Sequence, residues 1–194
     1  LMNIRELGKI RPIDVMGQVD ENTQLVALAS CHFVAGYRID IRAIGDLLRK
    51  RTILFCLDAI QTLGAFPLSV EQVDFLSADS HKWMLGPLGA GVVYVRESLF
   101  DGVRPTHLGS WNVFSPNFIA QDDLGKFYDG GRRYECGSLN LPGILGMRAP
   151  LEMILDLGAD AVAARIRELR AYTLKRLGGA GFEPVWGTDL PEKH

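Results

Sequence analysis

Lys82 lies in Asp79-Ser80-His81-Lys82-Trp83-Met84-Leu85-Gly86-Pro87, an amine just after a predicted strand and just ahead of a Gly/Pro-rich loop. Upstream, Asp58 and Gln61 fall at the end of another predicted strand, Ile53-Leu54-Phe55-Cys56-Leu57. An amine, a carboxylate and an amide at strand ends are the groups that pyridoxal phosphate (PLP) chemistry requires. The lysine forms a Schiff base with the aldehyde, and an acidic residue pairs with the pyridinium nitrogen so that the ring acts as an electron sink. Asp58-x-x-Gln61 also suits a helix capping box, a role compatible with the first. Gly86-Pro87-Leu88-Gly89-Ala90-Gly91 is not a nucleotide loop: it lacks the Lys-Ser/Thr of a P-loop and the GxGxxG spacing after a strand.

The elements that must position these groups alternate between residues 25 and 96. Leu25 to Ser30 is a continuous apolar run, the pattern of a strand covered on both faces. Asp40 is placed to cap a helix whose apolar residues are Ile41, Ile44, Leu47 and Leu48, ending in Arg49, Lys50 and Arg51. Ile53–Leu57, Asp74–Ala78 and Gly91–Val95 read as further strands. Strands alternating with helices predict an α/β fold with a mainly parallel sheet and flanking helices. Ligands of such sheets bind outside the carboxyl ends of the strands. Ser30, Asp58 and the Ser77–Lys82 segment all fall at those ends and are expected to converge on one crevice.

From Arg104 to Asn140 the periodicity fades into Gly, Pro, Asn and Asp, so a long irregular region is expected. Helical patterns return over Ile144–Leu157 and Ala159–Leu177, broken at Gly158. Charge contacts at i+3 and i+4 are expected around Arg165, Glu168 and Arg170. Phe182 to Trp186 reads as an incipient strand.

Composition sets the frame. The chain has 194 residues, 47% hydrophobic and 23% charged, with net charge −2, and its basic residues are dispersed. That balance gives no reason to expect nucleic acid or an anionic membrane as partner. The longest apolar runs are strand-length, and the first residues do not read as a signal peptide. Cys31, Cys56 and Cys136 are odd in number and lack CxxC spacing. Neither a disulfide framework nor a metal site is expected, and a reducing cytoplasmic setting is.

Three pieces in register resemble the class V aminotransferase family of fold-type I PLP enzymes, which includes the cysteine desulfurases and isopenicillin N epimerase-like proteins. They are Asp58-Ala59-Ile60-Gln61, Ser80-His81-Lys82 followed by Gly86-Pro87-Leu88-Gly89, and Arg133-Tyr134-Glu135-Cys136-Gly137-Ser138-Leu139-Asn140. The resemblance implies that Lys82 is the catalytic Schiff-base lysine and later the acid/base for the α-proton. It implies that Asp58 pairs with the ring nitrogen, Gln61 with the ring hydroxyl oxygen, and His81 with the phosphate. Ser138 matches a residue that reaches the phosphate from a neighbouring subunit, which implies a homodimer with shared active sites. The chain departs from the desulfurase pattern at Asp79, where a phosphate-binding Ser or Thr is frequent; Ser77 or Ser80 is expected to take over that contact.

Family members are roughly twice this long. The chain also opens on Leu, so a middle fragment is expected: residues 1–149 as part of the PLP-binding large domain, and 150–194 as the start of a small C-terminal α/β domain. The preceding part would carry the ring-stacking residue, and the following part the carboxylate-binding arginine and any desulfurase cysteine loop. The expected function is that of a PLP-dependent enzyme acting on a small amino acid. The alternatives are a cysteine desulfurase or selenocysteine lyase, and a truncated, inert relative that only dimerises.

Overall fold

The computed structural model describes residues 2–4, 6–114 and 126–185. Two helices, α1 (Pro12–Met16) and α2 (Ile41–Lys50), lie on either side of the first strand in the chain. Pro12 opens α1, where the missing N–H costs nothing because a first-turn amide has no helical acceptor. Asp40 caps α2 as expected, its side chain accepting a hydrogen bond from Ala43 N at 2.9 Å. The capped helix turns Ile44 and Leu48 fully into the core, with Val15 of α1 beside them.

Four strands form one sheet in the order β1 (Leu25–Ala29), β2 (Leu54–Asp58), β3 (Phe75–Asp79), β4 (Gly91–Val95). The first three are parallel and β4 is antiparallel to β3. The register sets Ala29 beside Asp58, Asp58 beside Ser77, and Ser77 beside Val93. These four residues share one face of the sheet, because neighbours in register point the same way. Asp74 steadies the opposite ends of the strands: it accepts from Phe55 N at 2.8 Å and pairs with Arg96 at 2.9 Å.

The sheet is covered differently from the expectation for β1. Val26, Leu28, Phe55, Leu57, Leu76 and Ala78 are buried on one face, against the core that α1 and α2 complete. On the other face Leu25, Ala27, Ala29, Ser77 and Val93 are exposed, Val93 to 75%. Both described N-terminal helices lie on the same side, so an apolar run that reads as doubly buried alternates between burial and exposure among the described residues.

Two helices follow, α3 (Leu141–Leu157) and α4 (Ala159–Gly178). Asn140 caps α3 by accepting from Gly143 N at 3.1 Å, and its amide donates to Gly89 O at 3.0 Å. One side chain therefore starts the helix and ties it to the loop before β4. α3 continues through Pro150. Proline removes one helical donor and crowds the carbonyl four residues back, but Met147 and Ile154 are buried on either side of it and hold the helix together. The helical break falls at Gly158 (φ +81°), between α3 and α4, and residues 149 and 150 lie within α3.

Of the expected irregular region, residues 115–125 lie outside the described residues. The remainder holds a 3-10 turn at Gly130–Tyr134 and is centred on buried Asn112, which donates to His107 O and Arg133 O and accepts from Gly109 N. Residues 182–185 form no strand, and Trp186 lies outside the described residues. Pro184 has no N–H to offer a ladder, and no described strand runs beside it.

Candidate functional site

The ends of β1, β2 and β3 are stitched together one residue beyond the strands. Ser30 N donates to Asp58 O and Ala59 N to Ser77 O, each at 2.8 Å. Below that seam, the Thr62 hydroxyl donates to the Ser30 hydroxyl at 2.8 Å, both fully buried. The three segments do converge in backbone. Their side chains then divide: Ser30 is consumed as a buried clip, while Asp58 and Ser77 face a crevice of about 500 Å³ with Asp79, Gly91 and Val93.

Asp58 is exposed in that crevice. Its Oδ1 accepts from Ile60 N at 3.0 Å, a turn in which the side chain holds the amide two residues on. No helix follows, so Asp58 caps a turn rather than a capping box, and its second oxygen accepts no hydrogen bond among the described residues. Asp79 is the other acid of the crevice. Its Oδ1 lies 3.0 Å from His81 Nδ1. That contact, outweighing desolvation, holds the Asp79 carboxyl below the usual carboxylate range. The acid at this position thus turns toward His81, which leaves His81 only its second ring nitrogen for any other ligand.

Lys82 is half-buried in a loop that is closed at several points. Ser80 N donates to Ala90 O at 2.9 Å, Gly86 N to Ser80 O at 2.8 Å, and Leu85 N to Lys82 O at 3.1 Å. Ser80, fully buried, donates its single hydroxyl proton to Pro87 O at 2.6 Å. A phosphate oxygen needs a donor, and that proton is taken, so Ser80 serves the loop; Ser77 is the hydroxyl that faces the crevice. Leu85 is left-handed (φ +56°), a strained state for a residue with a γ-branch.

The turn after β2 is pressed against this loop. Gly64 has φ +94°, and a Cβ there would lie 2.5 Å from Trp83 O. Only glycine permits the approach that seats the Asp58–Phe66 turn on the residue following Lys82. Gln61, from the same turn, does not face the acidic crevice. It lines a second cavity of about 490 Å³ with Trp83, Phe66, Arg38 and Arg170.

Ser138 sits on an exposed loop before α3 and lines neither cavity. The three cysteines are unpaired, and burial pushes the Cys31 and Cys56 thiols up. Several features were not singled out from sequence: the Asp79–His81 contact, the Ser30–Thr62 clip, and the place of Arg38 and Arg170 on one cavity. Arg170 alone had a readable signal, since Ile166, Arg170 and Leu174 recur every fourth residue on one stripe of α4.

A model of the family "Aminotransferase class-V" matches residues 1–193, and the chain belongs to that family. It is similar to a probable cysteine desulfurase of Borreliella burgdorferi, 27% identical over 180 residues, covering 91% of this chain and 42% of the relative. The cysteine desulfurase IscS of Anaeromyxobacter dehalogenans is 33% identical over 172 residues, covering 88% and 38%. Among solved structures, the apo cysteine desulfurase of Thermococcus onnurineus superimposes with a TM-score of 0.77 at 25% identity, covering 87% of this chain and 41% of that one. A C-DES variant with glycine covalently linked to its PLP cofactor gives 0.75 at 22%, over 90% of this chain and 45% of that one, a likeness of fold alone. The fold is thus part of the fold-type I architecture of PLP-dependent transferases. The chain spans about two fifths of the length of the curated relatives it matches.

Proposed function

We propose that this chain carries the cofactor-holding part of a PLP-dependent enzyme that acts on a small amino acid. Lys82 is the covalent anchor, and Asp58 the partner of the ring nitrogen. The observation that supports this most is the seam of strand ends: it sets Asp58 in an acidic crevice and locks the Lys82 loop against the turn that Asp58 begins. The donor set fits the group at two ends. Asp58 offers an exposed carboxylate with no Lys or Arg among the described residues lining its crevice, the setting in which a protonated pyridine nitrogen is favoured. Lys82 offers an amine on a loop with little freedom.

When bound, PLP supplies an electron sink for the bond cleaved at the substrate's α-carbon. Asp58 holds a proton on the ring nitrogen by charge. Lys82 Nζ would be the group that takes and returns the α-proton. His81, oriented by Asp79, presents its free nitrogen to the phosphate end, and Ser77 contributes a hydroxyl. Ser138, exposed and remote from the chain's own crevice, is disposed to reach the site of a second copy. Cys31 and Cys56 are held protonated by burial, which does not favour either as a sulfur acceptor.

The test is spectroscopic. Protein given PLP is expected to develop a visible band that borohydride fixes to Lys82, and Lys82→Ala to lose that fixation entirely. Fixation elsewhere, or an unchanged band in the variant, sinks the assignment. A fixed band that no amino acid perturbs leaves a cofactor-binding chain without turnover. A monomeric mass in solution removes the role of Ser138.

A further inference from the structure

The first turns of α3 back the loop that wraps Lys82. Gly143, Gly146 and Met147 recur at the i, i+3, i+4 spacing of one helical face. A Cβ at Gly143 would lie 3.1 Å from Ala90 Cβ, and one at Gly146 would lie 3.3 Å from Pro87 Cγ. Met147 is buried, and its Cγ lies 3.3 Å from where a Gly86 Cβ would stand. The helix therefore sits directly on residues 86–90. Those residues have two tasks. Gly89, Ala90 and Gly91 form a wall of the crevice that Asp58 and Ser77 face. Ala90 O accepts from Ser80 N at 2.9 Å and Pro87 O from the Ser80 hydroxyl at 2.6 Å, two residues before Lys82.

Asn140 is the polar end of this contact, and the two atoms of its amide act differently. Oδ1 accepts from Gly143 N at 3.1 Å and caps the helix. Nδ2 donates to Gly89 O at 3.0 Å, 51 residues back in the chain. The cap bond already fixes the side chain, so the tie to Gly89 costs no further rotamer freedom. A Cβ at Gly143 would overlap the same amide, so the glycine keeps the space that the tie needs.

We propose that Asn140 is a positioning residue for Lys82. Through Gly89 it holds loop 86–90 against α3, and that loop holds Ser80 and the lysine segment that follows in the form that takes up the cofactor. The hold on the loop stands on the geometry alone; its consequence for the cofactor rests on the function proposed above.

Asn140→Asp separates the two tasks. It keeps the oxygen that caps α3 but replaces the donor with a second acceptor facing the Gly89 carbonyl. In protein without PLP, residue-resolved hydrogen exchange should quicken about fivefold or more at the Ser80 and Gly86 amides, which close the lysine loop. Exchange should stay as in wild type at Ile144, whose amide bonds to Asn140 O and reports the helix start. The same variant should form the borohydride-fixed bond at Lys82 at least about fivefold more slowly. Asn140→Ser, which can cap but carries no second acceptor, should fall between Asn140→Asp and wild type. Gly143→Ala leaves Asn140 in place but crowds its amide, and should reproduce the loosened loop. Wild-type exchange at Ser80 and Gly86 in Asn140→Asp, or equal loosening at Ile144, overturns the tie. A loosened loop with wild-type fixation overturns the positioning of Lys82. Wild-type protein that fixes no PLP removes the proposed function and the positioning with it, while the exchange rates still decide whether Asn140 holds the loop.

Discussion

Two cavities of nearly equal volume flank the same strand ends, and they carry opposite charge. The crevice on the open sheet face holds Asp58 and Asp79 without a described cation, whereas the cavity under α4 holds Arg38 and Arg170 without a described acid. One short segment feeds both: Asp58 and Gln61, three residues apart, face different sides. The lysine loop is divided in the same way, with Asp79 in the crevice, Trp83 in the cavity and Lys82 between them in sequence. Opposite fields a few residues apart are suited to a ligand that carries charge of both signs, one at each end. A single uniformly charged pocket would favour one end and repel the other.

If the Asp58–Phe66 turn is what joins the two sides, breaking its seat should harm both. Gly64→Ala puts a Cβ within 2.5 Å of Trp83 O at a φ that disfavours any side chain. The expected loss is about 3 kcal/mol in urea unfolding, together with weaker PLP fixation and a shifted Trp83 indole signal. Wild-type stability in this variant would mean that the sides are built independently. A smaller effect, about 1–2 kcal/mol, is expected from Ser80→Ala, which leaves the Pro87 carbonyl without its buried donor. This change should loosen the lysine loop and slow PLP fixation, yet leave the far wall of the second cavity, at Arg38 and Phe66, unperturbed. Equal damage on both sides would place Ser80 in the shared frame rather than on the lysine side.

The strands and long helices were legible because each has a local cause: the Asp40 cap, the apolar stripe of α2, the Gly158 break. Asp58, Gln61 and Lys82 were legible as residue types at strand ends. Which side of the turn each one faces was not, because that is decided by the approach of Gly64 to Trp83, a contact between residues nineteen apart in sequence. The exposed second face of β1 had no signal for a related reason: an apolar run is the same whether or not the described residues cover both its faces. Ser80 was a plausible phosphate ligand by type, and only the loop closure that buries it against Pro87 reveals where its proton goes. Arg38 and Arg170 lie far apart in the chain, and a cavity they share has no one-dimensional signature.

The smallest expected effect concerns the acid that breaks the charge symmetry of the lysine loop. Asp79 contacts His81 at 3.0 Å, and its carboxyl titrates below the ordinary value of 3.8. A carboxyl depressed by folding binds protons more weakly in the native state than in the unfolded one. Its contribution to stability is therefore complete above the unfolded pKa and disappears as pH falls through the native value. Asp79→Asn, matched in shape but uncharged, should unfold at slightly lower urea than wild type near pH 5, with the two midpoints converging toward pH 2. The group is exposed enough that solvent screening keeps the difference small. Midpoints that differ equally at both pH values would show that Asp79 acts through shape and hydrogen bonding. The charge contact would then not be what turns this acid toward His81.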